Sequence, residues 1–156
     1  MKKNYIFDEE LAILDIDVKD ANEAISILGN LLVKNDFVTD TFISAVIDRE
    51  KILPTGLQLK LFGAAIPHTF KEHVKQNSIA VGFLDKPVLF RNMGNSNETI
   101  PVKLIILMAI KDVDDQVDML SRIVGLLKSE HNQEQLLLTK KPADIVSIFN
   151  TDAEFA

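Results

Sequence analysis

Cysteine is absent from this 156-residue sequence, which excludes disulfides, thiolate zinc sites and a cysteine nucleophile. The absence also fits a reducing compartment. Segments rich in Lys and Arg are missing too, and 17 basic against 23 acidic residues give a formal net charge of −6. Because a nucleic-acid backbone requires a basic surface, we expect no nucleic-acid partner.

Long hydrophobic runs are also lacking. The longest strongly apolar run, residues 104–110, lies between Lys103 and Lys111; it is too short to cross a bilayer and typical of a buried strand. Acidic residues at positions 8–10 interrupt the apolar segment that a signal peptide requires, so we expect neither a signal peptide nor direct membrane insertion. The length and the 47% hydrophobic content predict one domain over residues 1–156.

The sequence does contain a regular succession of strand and helix patterns. Alternating or continuous apolar segments predict strands at residues 14–18, 64–66, 78–84, 88–90 and 102–110. Helical spacing of apolar residues predicts helices at residues 20–34, 39–51, 112–128, 132–138 and 143–150. A polar loop is predicted at residues 92–98. This order predicts an α/β fold, a mixed β-sheet of about five strands covered by helices on both sides.

The sequence also predicts the caps of the first two helices and the apolar face of the third. Asp20 stands three residues before Glu23, which predicts a capping box, and Thr39 is the expected cap of the second helix. The apolar face predicted for the third helix consists of Val113, Val117, Leu120, Ile123, Val124 and Leu127.

Of three histidines, His68 in the stretch "GAAIPHTF" stands out, because it follows a short apolar strand and a proline. A structural histidine and a functional one remain alternatives at this point. A metal site is disfavoured, since His68 and His73 are five residues apart and no carboxylate repeats the pattern. Nucleophile-elbow, Walker and dinucleotide motifs are missing. A remaining role is that of a covalent carrier, with a neutral imidazole as nucleophile.

A phosphoryl carrier would also need positive charge and hydrogen-bond donors around the histidine. Arg49, at the end of the second helix, could supply the charge, although a solvated helix end is the simpler interpretation. Thr55, Gly56 and Thr69 offer a hydroxyl, a backbone amide and a second hydroxyl.

These residues form a recognisable motif. "DREKILPTGLQLKLFGAAIPHT" resembles the R-E-x-x-x-P/S-T-G segment and the following I-P-H of enzyme IIA domains in the bacterial sugar phosphotransferase system, of the fructose/mannitol/nitrogen-regulatory class. "SIAVGFLDKPVLFRNM" and "VKLIILMAIKDVDDQVDMLSRIVGLL" extend the resemblance to nearly the whole chain. The resemblance implies the mannitol/fructose-like enzyme IIA fold and a cytoplasmic phosphotransferase.

The same resemblance implies a mechanism. The histidine matching His68 takes a phosphoryl group from the carrier protein HPr and passes it to a cysteine of an enzyme IIB, while the arginine matching Arg49 neutralises charge. No metal or cofactor is implied, and the membrane enzyme IIC is an indirect partner. Because this chain lacks cysteine, IIB must be a separate chain. Phe62, Phe70 and Leu57 are expected to contribute to an apolar face on which HPr docks.

One departure from the family pattern concerns Gln116, where mannitol- and fructose-type members usually carry a second histidine. Galactitol-type members resemble this chain in that glutamine, in "LPTG", and in a histidine five residues after the active one. His73 is therefore a possible neighbour of the phosphoryl group, or a surface histidine. Uptake of a hexitol or related sugar, with galactitol favoured, is the leading hypothesis; a regulatory phosphocarrier of the nitrogen type and a vestigial ligand-binding domain are the alternatives.

Overall fold

Two 15-residue strands joined by a tight turn run through the centre of the protein, and the computed structural model describes residues 4–153 and 155. In chain order the main elements are β1 (Ala12–Ile16), α1 (Ala21–Lys34), α2 (Phe42–Ile52), β2 (Gly56–Gln58), β3 (Gly63–Ala65), β4 (Ser78–Asn92), β5 (Asn95–Ala109), α3 (Val113–Lys128), α4 (Glu130–Leu137) and α5 (Pro142–Thr151). A short 3-10 turn, Lys71–His73, lies between β3 and β4.

The five strands form one mixed sheet in the order β1-β4-β2-β3-β5. β4 and β5 pair antiparallel along most of their length, and β1 runs parallel to the first half of β4. β3 pairs parallel with β5 and antiparallel with β2, which also meets the end of β4 through Gly56 and Asn92. The prediction of an α/β fold with a mixed sheet and covering helices is confirmed.

The helices pack in two groups around this sheet. α1 contacts β4 and α2, whereas α4 contacts α3 and α5, and α5 contacts β1. The predicted start of α1 is confirmed, because the side chain of Asp20 accepts a hydrogen bond from the backbone N–H of Glu23 at 2.9 Å. The reciprocal bond from the Glu23 side chain, which would complete the predicted capping box, is not formed. No helix within residues 4–153 is long and apolar enough to cross a membrane.

Two predictions about the strands are wrong. Residues 78–84 and 88–90 belong to one continuous strand, with a register shift between Phe83 and Val88. Residues 92–98 are mostly not a loop, since β5 already begins at Asn95. The first five residues of β5 are exposed, so this end of the hairpin carries polar residues that resemble a loop in the sequence. The three-residue strand β2 was not predicted.

Two predictions about the helices also differ from the structure. α2 begins at Phe42 with Thr41 as its cap residue, because the backbone N–H of Thr39 pairs instead with the carbonyl of His73. On α3 the predicted apolar face is wrong at its start, where Val113 and Val117 are each 64% exposed. The fully buried residues of this helix are Met119, Ile123, Leu126 and Leu127.

Candidate functional site

The loop after β3, residues 66–70, carries His68 and is fixed from three directions; we call it the histidine loop. The backbone N–H of Ile66 donates to the hydroxyl of Thr55 at 3.0 Å. The carbonyl of Pro67 accepts from the N–H of Met108 in β5 at 3.0 Å. The carbonyl of Thr69 accepts from the side-chain amide of Gln116 in α3 at 3.1 Å. These bonds make the loop a firm support for the imidazole.

The imidazole of His68 is half-buried, and its Nδ1 forms a hydrogen bond within the histidine loop. Its Nδ1 lies 3.0 Å from the carbonyl oxygen of Ile66, so Nδ1 carries the hydrogen and donates it. In the neutral ring this leaves the lone pair on Nε2. Burial lowers the pKa of His68, and the nearby charge of Arg49 lowers it further, against the opposing effect of the hydrogen bond to Ile66. His68 is therefore neutral at neutral pH and has a nucleophilic nitrogen.

Arg49 lies in the last turn of α2, and its guanidinium carbon is 4.6 Å from the centre of the Phe70 ring. This cation–π contact directs the charge of the guanidinium to the histidine loop, consistent with its effect on His68. A groove of about 310 Å³ opens beside it. Its lining residues are Ala45, Asp48, Arg49, Ile52, Leu53, Thr69, Phe70 and His73.

Thr69 and His73 both face this groove. Thr69 is buried, and its backbone carbonyl is held by Gln116. His73, in the 3-10 turn, is half-buried, and its Nδ1 lies 2.8 Å from the hydroxyl of Thr41. The structure thus brings Arg49, Thr69 and His73 together in one groove, whereas His68, which directly precedes Thr69, is not among the groove's lining residues.

Thr55 and Gly56 lie next to the histidine loop, where Thr55 bonds to Ile66 and Gly56 pairs with Ala65 of β3. The hydroxyl of Thr55 donates to the carboxylate of Glu50 at 2.8 Å and accepts from the N–H of Ile66, so it has partners on both sides. Gly56 lies against β4, where an added Cβ would be 2.5 Å from the carbonyl oxygen of Arg91. A side chain at this position would push β2 away from β4, so the glycine has a packing role.

Gln116, in the first turns of α3, uses its side-chain NH₂ group fully. It donates to the carbonyl of Ile110 at 2.8 Å and to that of Thr69 at 3.1 Å. Gln116, which stands where the resemblance places a second histidine, therefore connects α3 to the histidine loop.

Exposed apolar side chains border the groove and the start of α3. Phe70, Ile52 and Leu53 border the groove and are 55%, 77% and 53% exposed. Val113 and Val117 lie on the same part of α3 as Gln116. The expectation for Phe62 is wrong, since Phe62 is buried and packs edge-to-face on Phe83. Leu57 is half-buried.

Sequence reasoning did not identify Glu50, whose carboxylate accepts from both the N–H and the hydroxyl of Thr55 at 2.8 Å. Burial raises the pKa of Glu50 to about 7, against the lowering effects of the Thr55 hydrogen bonds and of Arg91. Glu50 is adjacent to Arg49 in the "DREK" segment, but the residues beside its carboxylate include Asn22 of α1 and Arg91 of β4, which are distant in the sequence. Within the described residues, no three His, Asp or Glu side chains are grouped as a metal site requires.

Comparisons with known proteins identify the family of this chain. Residues 5–152 match the family model described as "Phosphoenolpyruvate-dependent sugar phosphotransferase system, EIIA 2". The chain is 31% identical over 144 residues to the mannitol-specific phosphotransferase enzyme IIA component of Staphylococcus aureus strain Mu50, covering 92% of this chain and 94% of that protein. It is 29% identical over 122 residues to the galactitol-specific EIIA component of Escherichia coli O6:H1, covering 78% and 81%.

A similar fold occurs in the solved complex of enzyme IIA and phosphorylated enzyme IIB for mannitol from Escherichia coli. The TM-score is 0.76 at 23% identity, with 92% of this chain and 96% of the matched chain covered. At that identity the likeness concerns the fold alone. The family match over nearly the whole chain carries the assignment: the chain belongs to the EIIA 2 family of the phosphoenolpyruvate-dependent sugar phosphotransferase system and is a phosphotransferase component.

Proposed function

We propose that this protein carries a phosphoryl group on Nε2 of His68, between phosphorylated HPr and a cysteine of a separate enzyme IIB. The observation that carries the proposal is the state of the imidazole. Nδ1–H is donated to the carbonyl of Ile66, and burial together with Arg49 lowers the pKa of His68. A neutral ring with its lone pair on Nε2 is what attack on phosphorus requires.

In the first step the Nε2 lone pair forms a bond to phosphorus while the P–N bond of phosphohistidine in HPr breaks. The electron pair of that bond returns to the donor ring. The hydrogen on Nδ1 stays in place, and its bond to the carbonyl of Ile66 stabilises the positive charge that the phosphorylated ring gains.

In the second step a cysteine thiolate of IIB attacks phosphorus, and the electron pair of the P–Nε2 bond returns to His68. Arg49 offsets the charge on the phosphoryl oxygens in both steps, as guanidinium groups do in phosphoryl transfer. Thr69 and His73, which line the same groove, are proposed neighbours of the phosphoryl group.

The transported sugar is proposed to be a sugar alcohol, because mannitol- and galactitol-specific components are among the relatives. Gln116, the "LPTG" segment and His73 favour galactitol. IIB is the direct acceptor, a membrane IIC protein is an indirect partner, and the protein acts in the cytoplasm. Nucleic acid has no place in this scheme, consistent with the net charge of −6.

The experiment is phosphorylation of the purified protein by phosphoenolpyruvate, enzyme I and HPr. We expect one acid-labile phosphoryl group on the wild type, none on His68→Ala, and normal labelling of the control His131→Ala, whose histidine is exposed on α4. Labelling that persists in His68→Ala would refute the assignment. Transfer onward to a IIB cysteine supports transport, whereas failure with every IIB of the host indicates a regulatory phosphocarrier instead.

A further inference from the structure

We propose that Glu50 is a positioning residue for phosphoryl transfer: acting through Thr55 and Ile66, its carboxylate sets the orientation and tautomer of His68. This inference rests on the proposed function, since it assigns a residue to the reaction at His68. Glu50 does not border the groove beside His68. Its influence would reach the imidazole only through hydrogen bonds.

The connection begins at the carboxylate. Oε2 of Glu50 accepts from the N–H of Thr55, and Oε1 accepts from the Thr55 hydroxyl, each at 2.8 Å. Because the hydroxyl hydrogen is committed to the carboxylate, the lone pairs of the Thr55 oxygen face away from it. One of them receives the N–H of Ile66 at 3.0 Å.

The connection ends at the imidazole. Ile66 is fully buried, and its carbonyl oxygen accepts the Nδ1–H of His68 at 3.0 Å. Fixing the N–H of Ile66 fixes the residue whose carbonyl selects the tautomer of the ring. A rotation of Ile66 would remove that acceptor and allow the hydrogen to move to Nε2, which would abolish the nucleophile.

The hydrogen bonds that connect Glu50, Thr55 and Ile66 are shielded from water. Thr55 is 5% exposed and Ile66 is fully buried, so water cannot easily replace a lost partner. The charged groups near Glu50 are Lys51, on its own helix, and Arg91, on β4; these residues and Asn22 of α1 line a small cavity with it. Arg91 also donates to the backbone carbonyl of Lys51. A partly buried carboxyl near the charge of Arg91 and bonded by two Thr55 donors can lose its proton near neutral pH.

The test uses Thr55→Val, which keeps the shape and removes the hydroxyl, Thr55→Ser, which restores it, and Glu50→Gln, which removes the charge. Glu134→Gln, on the exposed side of α4, is the matched control. Two readouts are measured. The first is the rate of phosphoryl gain from phosphorylated HPr between pH 5.5 and 8.5. The second is the His68 tautomer, from the nitrogen shifts of the unphosphorylated protein by NMR.

We expect Thr55→Val to lower the rate at least tenfold and to shift His68 toward the Nε2–H tautomer, while Thr55→Ser stays within about threefold of wild type. Glu50→Gln should lower the rate severalfold and flatten the part of the pH profile that lies near pH 7. Glu134→Gln should match the wild type. A folded Thr55→Val or Glu50→Gln protein with an unchanged tautomer and unchanged rate would overturn the proposal.

The tautomer measurement separates this inference from the proposed function. If wild-type protein accepts no phosphoryl group from HPr, the proposed function fails, but the NMR spectra still show whether Glu50 and Thr55 control the ring. If the wild type is phosphorylated and the variants keep the Nδ1–H tautomer, the inference alone fails.

Discussion

At the scale of single residues, the chemistry proposed for the site depends on how His68 is held and on the charge of Arg49. The hydrogen bond from Nδ1 to Ile66 selects the ring nitrogen, and the lowered pKa keeps that nitrogen free of a proton. The motif around His68 was recognisable in the sequence because it is local. Glu50 was not identified in the sequence, because its surroundings include Asn22 of α1 and Arg91 of β4, which are distant in the chain.

Arg49 provides the residue-scale prediction. Arg49→Gln should raise the pKa of His68 toward its ordinary value, because removing the nearby positive charge removes one of the two causes that lower it. The same change should slow phosphoryl transfer by about tenfold or more, since in the proposed mechanism the phosphoryl oxygens would lose their cation. NMR titration of His68 and transfer kinetics measure the two effects.

Lys86→Gln, an exposed charge change on β4, is the control for this experiment. The role of Arg49 would be contradicted by a variant that shows wild-type rates and an unshifted His68 titration.

At the scale of elements, the site depends on where α2, β5 and α3 meet the histidine loop. Helix positions were well predicted where caps are local, as at Asp20 and Glu23. Predictions failed where exposure was decisive: the polar start of β5 resembles a loop, and the apolar start of α3 resembles a core face. Periodicity shows that a helix has an apolar stripe, but not whether a neighbouring element covers each turn of it.

Gln116 gives the prediction at this scale. Gln116→Leu removes both donors to the carbonyls of Thr69 and Ile110 at little change in volume, so we expect a looser histidine loop and transfer about tenfold slower. Gln116→His retains an N–H donor and should lose less. Hydrogen exchange of residues 66–70 and phosphorylation kinetics are the measurements.

The matched control is Gln135→Leu, at an exposed position of α4. If Gln116→Leu exchanges and reacts like this control, then α3 does not support the loop as inferred.

At the scale of the whole molecule, five of the ten exposed large apolar side chains of the described residues lie at the groove or at the start of α3. A phosphoryl carrier must bind two partners in turn over the same histidine, and apolar side chains with a polar rim suit such a surface. Exposed Leu53, Phe70 and Val117 meet that description despite the net charge of −6. The family motif predicted such a face, but identifying its members required the burial of Phe62 and the exposure of α3.

The whole-molecule prediction concerns docking. The double variant Leu53→Lys/Val117→Lys should raise the apparent KM for phosphorylated HPr by about tenfold, because it places charges on the apolar docking surface. The maximal rate should change little, because neither side chain forms a hydrogen bond with His68. Steady-state transfer at varied HPr concentration measures both quantities. Leu138→Lys, 67% exposed beside α5, is the control, and an equal effect of both variants would exclude a local docking surface.

The anchors of the histidine loop also determine when the site can form. Its motif lies in the first half of the chain, but the loop is held by Met108 and by Gln116, which is 47 residues beyond Thr69. Because a protein is synthesised from its N-terminus, a nascent chain that ends before residue 108 already contains the complete motif but lacks both anchors. We therefore expect the ability to accept a phosphoryl group to arise late in synthesis, only after the β4–β5 hairpin and the start of α3 have left the ribosome.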